Sequence, residues 1–375
     1  MVGLRTSWGH IGAVVVTLLS VALPSGSPAA PPRAKNVILF LGDAGGLPTL
    51  SAAGILAHNR PQSLFIQSMP HVALSDTSSL NRWVTDSGAG MTAIVTGHKT
   101  NNAMVSVVPS ADGSTVTPVK TILEYAEERG LSTGVVTNKP IWDATPAACY
   151  AHVGARSSKD DIFRQLLAPR FGNGVDIVIG AGRKDADVSF AKTGTTPAEA
   201  FTKAGYRFGS DTSSLSAADQ RTAILRDEEF EAIPAVEAAI SSLKRNRKGY
   251  FLMVEWDMHT DDPKKGLRHA VEMDDLIRRV AAVAGKDTLI LFVADHSFGL
   301  RMRGGLRNTP FADQYAESLA KKTPNIENSL ISIDDTHTGE EVIATASGPG
   351  AEQLHGFIPN TRLFQIMMGA LGWPE

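Results

Sequence analysis

Acidic residues and histidines in this sequence stand directly after short apolar runs, where a chain leaving a buried strand would turn. Ligands of open α/β sheets bind at such strand ends. Carboxylate and imidazole groups without thiolates suit zinc, magnesium or manganese, and a cation also offsets the repulsion among clustered acids. Any one of these residues alone could cap a helix, but together they predict a polynuclear metal site. Its candidate ligands are Asp43, Glu255, Asp257, His259, Asp295 and His296, with His337 just ahead of a further run.

A serine lies in a string of small residues, WVTDSGAG, which spans positions 83–90. The pattern that follows is helical, so Ser87 should lie near a helix N-terminus, where backbone N–H groups and the helix dipole favour an anion. Ser87 alone would be interpreted as a helix cap. Asp86 beside it, and a metal that could lower the hydroxyl pKa, favour a nucleophile instead. The string is not the Gly-x-Ser-x-Gly elbow of α/β-hydrolases.

A second string, DATPAACYAHVGAR, spans positions 143–156. Arg156 offers a planar fork suited to two oxygens of a phosphate. The Thr145 hydroxyl could bind a hard cation, as Ser and Thr do for magnesium in nucleotide sites. Taken alone, the two would be a surface arginine and a turn residue.

The elements that must position these residues alternate between strand and helix. This alternation predicts an α/β fold, a single large domain whose mostly parallel central sheet has helices on both faces. The polar stretch 184–226 contains no strong strand and is interpreted as a surface excursion. Predicted strands are Asn36–Leu41, Val72–Ser75, Thr133–Thr137, Val175–Ile179, Tyr250–Val254, Thr288–Val293 and Val342–Ala346, and predicted helices are Val119–Arg129, Asp161–Leu167, Val236–Lys244, Leu267–Val283 and Thr361–Ala370.

Composition excludes several classes of protein. With 43% hydrophobic and 20% charged residues in a chain of 375, the protein is neither disordered nor fibrous. A net charge of −3 gives no electrostatic footprint for nucleic acid. Cys149 is the single cysteine, which excludes an intrachain disulfide and a thiolate zinc cluster.

Residues 1–30 have the pattern of a secretory signal. A short apolar run from Ile11 to Leu23 follows one positive residue, and small residues and prolines follow from Ser25 to Pro32. The alternative is an uncleaved membrane anchor, although the run is short for a bilayer span. We therefore expect a periplasmic or secreted catalytic domain at 31–375, with no membrane contact after cleavage.

Several strings resemble the alkaline phosphatase family, in its exported bacterial form. They are VTDSGAGMTA at 84–93, DATPAA at 143–148, ADHS at 294–297, HTGEE at 337–341, LGDAGG at 41–46 and GAGRK at 180–184. They come in the order of the family and cover the chain from residue 36 onward. The serine and DATPAA strings are specific, whereas Asp-His and His-Thr-Gly are weak alone.

The resemblance implies hydrolysis of small phosphate monoesters through a phosphoserine at Ser87, with two zinc ions and one magnesium ion. Arg156 would grip the phosphate beside Asp86. One zinc would activate Ser87 and the other would stabilise the departing alkoxide and supply the attacking water. The first zinc would be held by Asp43, Asp295, His296 and the oxygen of Ser87, the second by Asp257, His259 and His337, and the magnesium by Asp43, Thr145 and Glu255, with Asp143 holding its waters.

The sequence departs from the family between Glu255 and His259. The family has Glu, then Asp five residues on and His four beyond that, whereas here the interval is compressed. Asp257 is the expected zinc ligand, because residues two apart in an extended segment share a face. Asp261 or Glu255 could bind this zinc instead. Otherwise Asp261 and Asp262 would cap a helix that starts after Pro263.

Other functions stay open at this point. A phosphodiesterase or a sulfatase-like hydrolase would belong to the same superfamily, although the serine string lacks the cysteine from which sulfatases derive their nucleophile. A non-catalytic exported protein that binds phosphate or metal is the alternative of another class. The oligomeric state is open, with a homodimer as one candidate. Ala44, where the family often has glycine, should be tolerated.

Overall fold

A computed structural model describes residues 2–4, 9, 33–212, 215, 221–319 and 330–374. Nearly all of the predicted signal segment therefore lies outside the described residues. The chain from Pro32 to Glu375 forms one compact unit. Among the described residues, no helix has both the length and the apolar character needed to cross a bilayer.

A ten-stranded sheet forms the centre of this unit. The predicted apolar strands occupy its middle because each is buried on both faces, as in parallel sheets; all eight residues of β1 are buried. Only the β13 pairings, with β10 and with β2, are antiparallel in this sheet. In spatial order the strands are β14 (Gly356–Ile358), β2 (His71–Ser75), β13 (Val342–Ser347), β10 (Thr288–Ala294), β1 (Asn36–Asp43), β9 (Tyr250–Asp257), β5 (Ser132–Pro140), β6 (Ile177–Ala181), β8 (Arg221–Arg226) and β7 (Tyr206–Gly209).

Helices cover both faces of the sheet and bury a separate apolar core on each. This three-layer arrangement confirms the predicted fold class. One face carries α2 (Ser87–Thr96), α3 (Ile122–Glu128), α4 (Ala144–Ala147), α5 (Lys159–Leu167), α6 (Arg183–Ala191), α7 (Pro197–Lys203) and α11 (Arg362–Ala370). The other carries α1 (Leu47–His58), α8 (Ala232–Leu243), α9 (Pro263–Val283) and α10 (Phe311–Leu319).

The stretch 184–226 differs from the predicted surface excursion. It contributes α6, α7 and two strands, β7 and β8, that extend the sheet in parallel at its edge. The strands escaped the sequence pattern because β7 is four residues long and largely exposed on its outer side. In β8 only the four residues between two arginines are buried.

Two small antiparallel sheets lie outside the central one. The first pairs β3 (Val107–Pro109) with β4 (Val116–Pro118). The second pairs β11 (Ser297–Met302) with β12 (Ile331–Thr338). The second matters for the site, because β11 begins directly after His296 and β12 contains His337.

Candidate metal centre and active site

Three neighbouring parallel strands deliver carboxylates to one edge of the sheet. β1 lies between β10 and β9, and its register places Asp43 beside Asp257 and Gly42 beside Ala294. Asp295 follows directly after β10. The carboxyl ends of parallel strands meet at the same edge, so the predicted convergence of these acids follows from the strand order.

The first group of candidate ligands is fully buried. Asp43, Asp295 and His296 each offer an atom within 4.8 Å of the others. His296 Nε2 lies 3.4 Å from Asp43 Oδ1 and 3.5 Å from Asp295 Oδ2. The backbone N–H of Ala44 donates to Asp295 Oδ1 at 3.2 Å. Ala44 does so at a φ of 64°, the left-handed region that glycine adopts more readily.

Ser87 is the first residue of α2, as the sequence predicted, and only 3% of it is exposed. Its Oγ lies 3.3 Å from His296 Nε2 and 3.5 Å from Asp43 Oδ1. The helix comes this close because Gly90 has no side chain: a Cβ there would lie 3.0 Å from the Asp295 carbonyl oxygen. The serine hydroxyl therefore faces the first ligand group from a helix N-terminus.

The β11–β12 hairpin brings His337 to the same place. Phe298 and His337 are paired across it, and the rings of His296 and His337 stack with centroids 3.7 Å apart. His337 Nδ1 donates to the Thr85 carbonyl at 3.1 Å, and His296 Nδ1 donates to the Ser297 carbonyl at 3.1 Å. A carbonyl can only accept, so each ring keeps a lone pair on Nε2, the tautomer that a metal ligand needs.

Asp257 and His259 form a second, more open group with Asp43. His259 Nδ1 lies 2.7 Å from Asp257 Oδ1, and His259 Nε2 lies 3.4 Å from His337 Nε2. Trp256 and Met258 are buried, consistent with the predicted alternation. Asp262 alone caps α9, accepting from the Lys265 N–H, whereas Asp261 is exposed. The predicted cap is thus confirmed for Asp262.

The grouping around His259 differs from the predicted set of Asp257, His259 and His337. His259 belongs to two groups, one with Asp43 and Asp257 and one with His296 and His337. The reason is the strand register, which turns Asp257 toward Asp43 rather than toward the hairpin. Asp257 could then bind a metal directly or fix the His259 ring through its Nδ1, as acids behind metal-bound histidines do.

Glu255 and Thr145 lie deeper than the histidines. Both are almost completely buried, Glu255 at the end of β9 and Thr145 in α4. Glu255 Oε2 accepts a hydrogen bond from Thr137, whereas Oε1 is buried without a partner in the structure. A buried carboxylate oxygen left in this state is costly unless a cation binds it.

Arg156 is held by two carboxylates. Its Nη1 donates to Asp86 Oδ2 and its Nη2 to Asp143 Oδ1, both at 2.9 Å. Asp86 also caps α2 through the Ala89 N–H at 3.1 Å. One residue therefore fixes both the helix that begins with Ser87 and the orientation of the guanidinium group.

The electrostatics fit a site built for cations. Burial raises the pKa of Asp295 well above its ordinary range, and the charge of Asp43 raises it further. Burial and the same neighbour raise the pKa of Glu255. Asp295 Oδ2, like Glu255 Oε1, is buried without a hydrogen-bond partner. A bound cation would satisfy both oxygens and remove the repulsion, so this oxygen and imidazole donor set fits divalent metals.

Comparisons with known proteins agree with this site. The family model described as alkaline phosphatase matches residues 34–325. The chain belongs to the alkaline phosphatase family. It is 29% identical to the mouse tissue-nonspecific alkaline phosphatase over 90% of this chain and 84% of that one. It is 28% identical to the Escherichia coli K12 alkaline phosphatase over 90% and 86%.

A solved structure shares the fold. The alkaline phosphatase of the Antarctic bacterium TAB5 matches with a TM-score of 0.76 and 23% identity, over 92% of this chain and all of that one. Membership of the family makes the chain a metal-dependent phosphomonoester hydrolase. Cys149 is a buried core residue whose thiol pKa burial raises, which suits neither nucleophile nor ligand in this alkaline phosphatase.

Sequence reasoning missed Lys139 in this alkaline phosphatase site. Lys139 lies at the carboxyl end of β5, beside β9, and its Nζ is 3.7 Å from Asp143 Oδ2 and 3.8 Å from Asp257 Oδ2. The signal that could have found it is its place directly after a predicted strand, four residues ahead of Asp143. It escaped notice because lysines after strands are common on protein surfaces.

Proposed function

We propose that the chain hydrolyses phosphate monoesters through a phosphoserine at Ser87, with two zinc ions and one magnesium ion as cofactors. The observation that carries this proposal is the position of Ser87 Oγ, buried at the start of α2 and 3.3 Å from His296 Nε2. A serine that merely capped the helix would not need this approach to candidate metal ligands. In addition, Asp86 rather than Ser87 supplies the cap.

The metal-binding roles follow the geometry as far as it goes. The first zinc would be held by Asp43, Asp295 and His296. The second would be held by His259 and His337, with Asp257 as ligand or as the group that orients His259. The magnesium would be held by Asp43, Glu255 and Thr145, with Asp143 holding its waters. These metals would supply positive charge for the phosphate oxygens and lower the pKa of hydroxyl groups and water.

Ser87 would act as the nucleophile. Its Oγ forms a bond to phosphorus as the ester P–O bond breaks in line, and the alcohol leaves after taking up a proton. Arg156, fixed by Asp86 and Asp143, binds two nonbridging oxygens of the phosphate and keeps phosphorus in front of Oγ. Water then cleaves the phosphoserine and releases inorganic phosphate with the free serine.

Chemical trapping tests the intermediate. Protein loaded with zinc and magnesium is mixed with 4-nitrophenyl phosphate labelled at phosphorus, quenched in acid and digested. We expect the label on the peptide that contains Ser87, and no label in Ser87→Ala. Label on any other residue would remove Ser87 from this role. Hydrolysis of bis(4-nitrophenyl) phosphate at a rate above that of the monoester would favour the phosphodiesterase alternative.

We also propose that the protein is exported and loses residues 1–30. Support comes from the pattern of a positive residue, an apolar run and small residues in this segment. Expression with its own N-terminus, followed by fractionation and N-terminal sequencing, should find a mature chain outside the cytoplasm that starts near Ala30. A full-length chain retained in the membrane would support an uncleaved anchor. A homodimer stays a prediction for sedimentation analysis.

A further inference from the structure

Two cationic side chains flank Asp143, and only one of them has a role so far. Arg156 donates to Asp143 Oδ1 at 2.9 Å, and the Lys139 ammonium lies 3.7 Å from Asp143 Oδ2. In the described part of the chain, these two are the only Lys or Arg side chains paired with the acids of the site. A phosphate monoester is a dianion that must enter among at least five carboxyl groups, so cations beside them have high value.

The Lys139 ammonium group is close to acids without being tied to them. Its distances of 3.7 and 3.8 Å to Asp143 and Asp257 give ion pairs but are too long for hydrogen bonds. An ammonium has three N–H donors. With 27% of the side chain exposed, these donors are available to a ligand that brings its own oxygens.

Lys139 also lies where two cavities meet. A cavity of about 310 Å³ is bordered by Lys139, Asp257, His259 and His337, and so opens onto the metal ligands. A cavity of about 570 Å³ on the side of α9 shares Lys139 and Asp257 with it. A ligand that approached the histidines through the first cavity would therefore pass the ammonium group.

The ammonium group does not stand in for the third metal. A lysine in that role would lie against Glu255, yet Glu255 Oε1 is buried without a partner. Among the described residues, the acids within 4.0 Å of Lys139 Nζ are Asp143 and Asp257. Lys139 thus points to the space outside the deep Glu255 position and leaves that position for a cation.

We propose that Lys139 is a second phosphate-binding residue, which holds the phosphoryl group of the substrate and inorganic phosphate together with Arg156. The shared Asp143 carboxylate, with Arg156 on one oxygen and Lys139 on the other, sets the spacing of the two cations. This inference rests on the proposed phosphatase function, since it names a further contact for the same phosphate.

Phosphate binding measured by calorimetry tests the role directly. Lys139→Met, Lys139→Arg and a control, Lys159→Met, are loaded with zinc and magnesium and titrated with inorganic phosphate. Lys159 is a matched control because it is 26% exposed and paired with Asp185. We expect Lys139→Met to bind phosphate about tenfold more weakly, as loss of one charged hydrogen bond predicts. Lys139→Arg should recover part of the loss, and Lys159→Met should match the native protein.

Metal content and kinetics separate the alternatives. Elemental analysis should give the same zinc and magnesium in all variants, and KM for 4-nitrophenyl phosphate should rise in Lys139→Met in parallel with the dissociation constant of phosphate. Unchanged phosphate affinity would overturn the proposal. So would loss of metal from Lys139→Met, or extra magnesium in it. If instead the native protein and Lys159→Met both bound phosphate without turnover, the proposed function would fail while the Lys139 contact could still be scored.

Discussion

The two halves of the metal centre differ in how firmly the fold holds them. Asp43, Ser87, Asp295 and His296 are at most 3% exposed and lie at the ends of central strands or the start of α2. On the other side, the side chains of Asp257 and His259 are 19% exposed and border a cavity. The buried half fixes the nucleophile, whereas the open half is where a substrate enters and a leaving group departs.

The difference also separates what burial dictates from what loops decide. Carboxylates at the end of buried parallel strands have little freedom, because the backbone register sets their spacing. Asp257 and His259 sit on a short connection to α9 and are held to each other as much as to Asp43. Substitutions in the buried half should therefore abolish catalysis, and those in the open half should first change metal content and ligand affinity.

Ser87→Ala is the substitution with the largest expected effect. It removes one oxygen from a position packed at the start of α2, so turnover of 4-nitrophenyl phosphate should fall by orders of magnitude while thermal unfolding and zinc content change little. Steady-state rates, melting curves and elemental analysis of the same preparations check this. A rate within tenfold of the native protein would break the comparison, because the buried half would then not hold the nucleophile.

Zinc content tests the open half. His259→Ala should lose one zinc ion of the pair together with most activity, because its Nε2 faces His337 and its Nδ1 is taken by Asp257. Asp257→Ala should weaken the same zinc, and Asp261→Ala, at an exposed position, should keep both zinc and activity. Loss of zinc from Asp261→Ala, with Asp257→Ala retaining it, would move the ligand to Asp261.

Arg156→Ala should weaken phosphate binding more than it disturbs the metals. A fork held by Asp86 and Asp143 contributes charged hydrogen bonds to the phosphate. Inhibition by inorganic phosphate should then weaken about tenfold or more, since about 1.4 kcal/mol is tenfold in affinity. Arg164→Ala is the control, an exposed arginine paired with Asp161. An unchanged inhibition constant would remove Arg156 from the phosphate site.

Much of the buried half could be predicted from the sequence. Long apolar runs identified β1, β9 and β10, and the residues directly after them became the acids of the site. The HTGEE string placed His337 only ahead of a strand. The sequence did not show that β12 pairs with β11 and carries His337 to His296, because that depends on a long-range antiparallel pairing. Lys139 and the role of Asp262 as the sole cap also depend on three-dimensional contacts.

Removing the metals should expose the pH dependence of the open half. Burial alone would lower the pKa of His259, but the carboxylates of Asp43 and Asp257 raise it to about 9. Because the folded pKa lies above the ordinary value of 6.5, the stability that His259 contributes is complete below that pH. It is lost as pH rises through about 9.

Urea unfolding of chelator-treated protein measures this. The difference in unfolding free energy between the native chain and His259→Ala should shrink from about pH 6 to about pH 10. The exposed His355 provides a control, His355→Ala, whose difference should not follow this course. A difference for His259→Ala that grew with pH would show that its charged form is not stabilised in the fold.

The smallest effect is expected at the start of α9, which anchors the open half from behind. Asp262 accepts from the Lys265 N–H at 3.2 Å, and Pro263 occupies the first helical position. Asp262→Ala should lower the free energy of unfolding by about 1 kcal/mol, as loss of a cap does. Its zinc content should stay normal, because the cap lies three residues beyond His259 and touches no candidate ligand. Asp261→Ala, matched in charge and exposure, should leave stability unchanged. If Asp262→Ala lost zinc as well as stability, the helix start would be part of what positions His259, and the open half would be held as tightly by α9 as the buried half is by its strands.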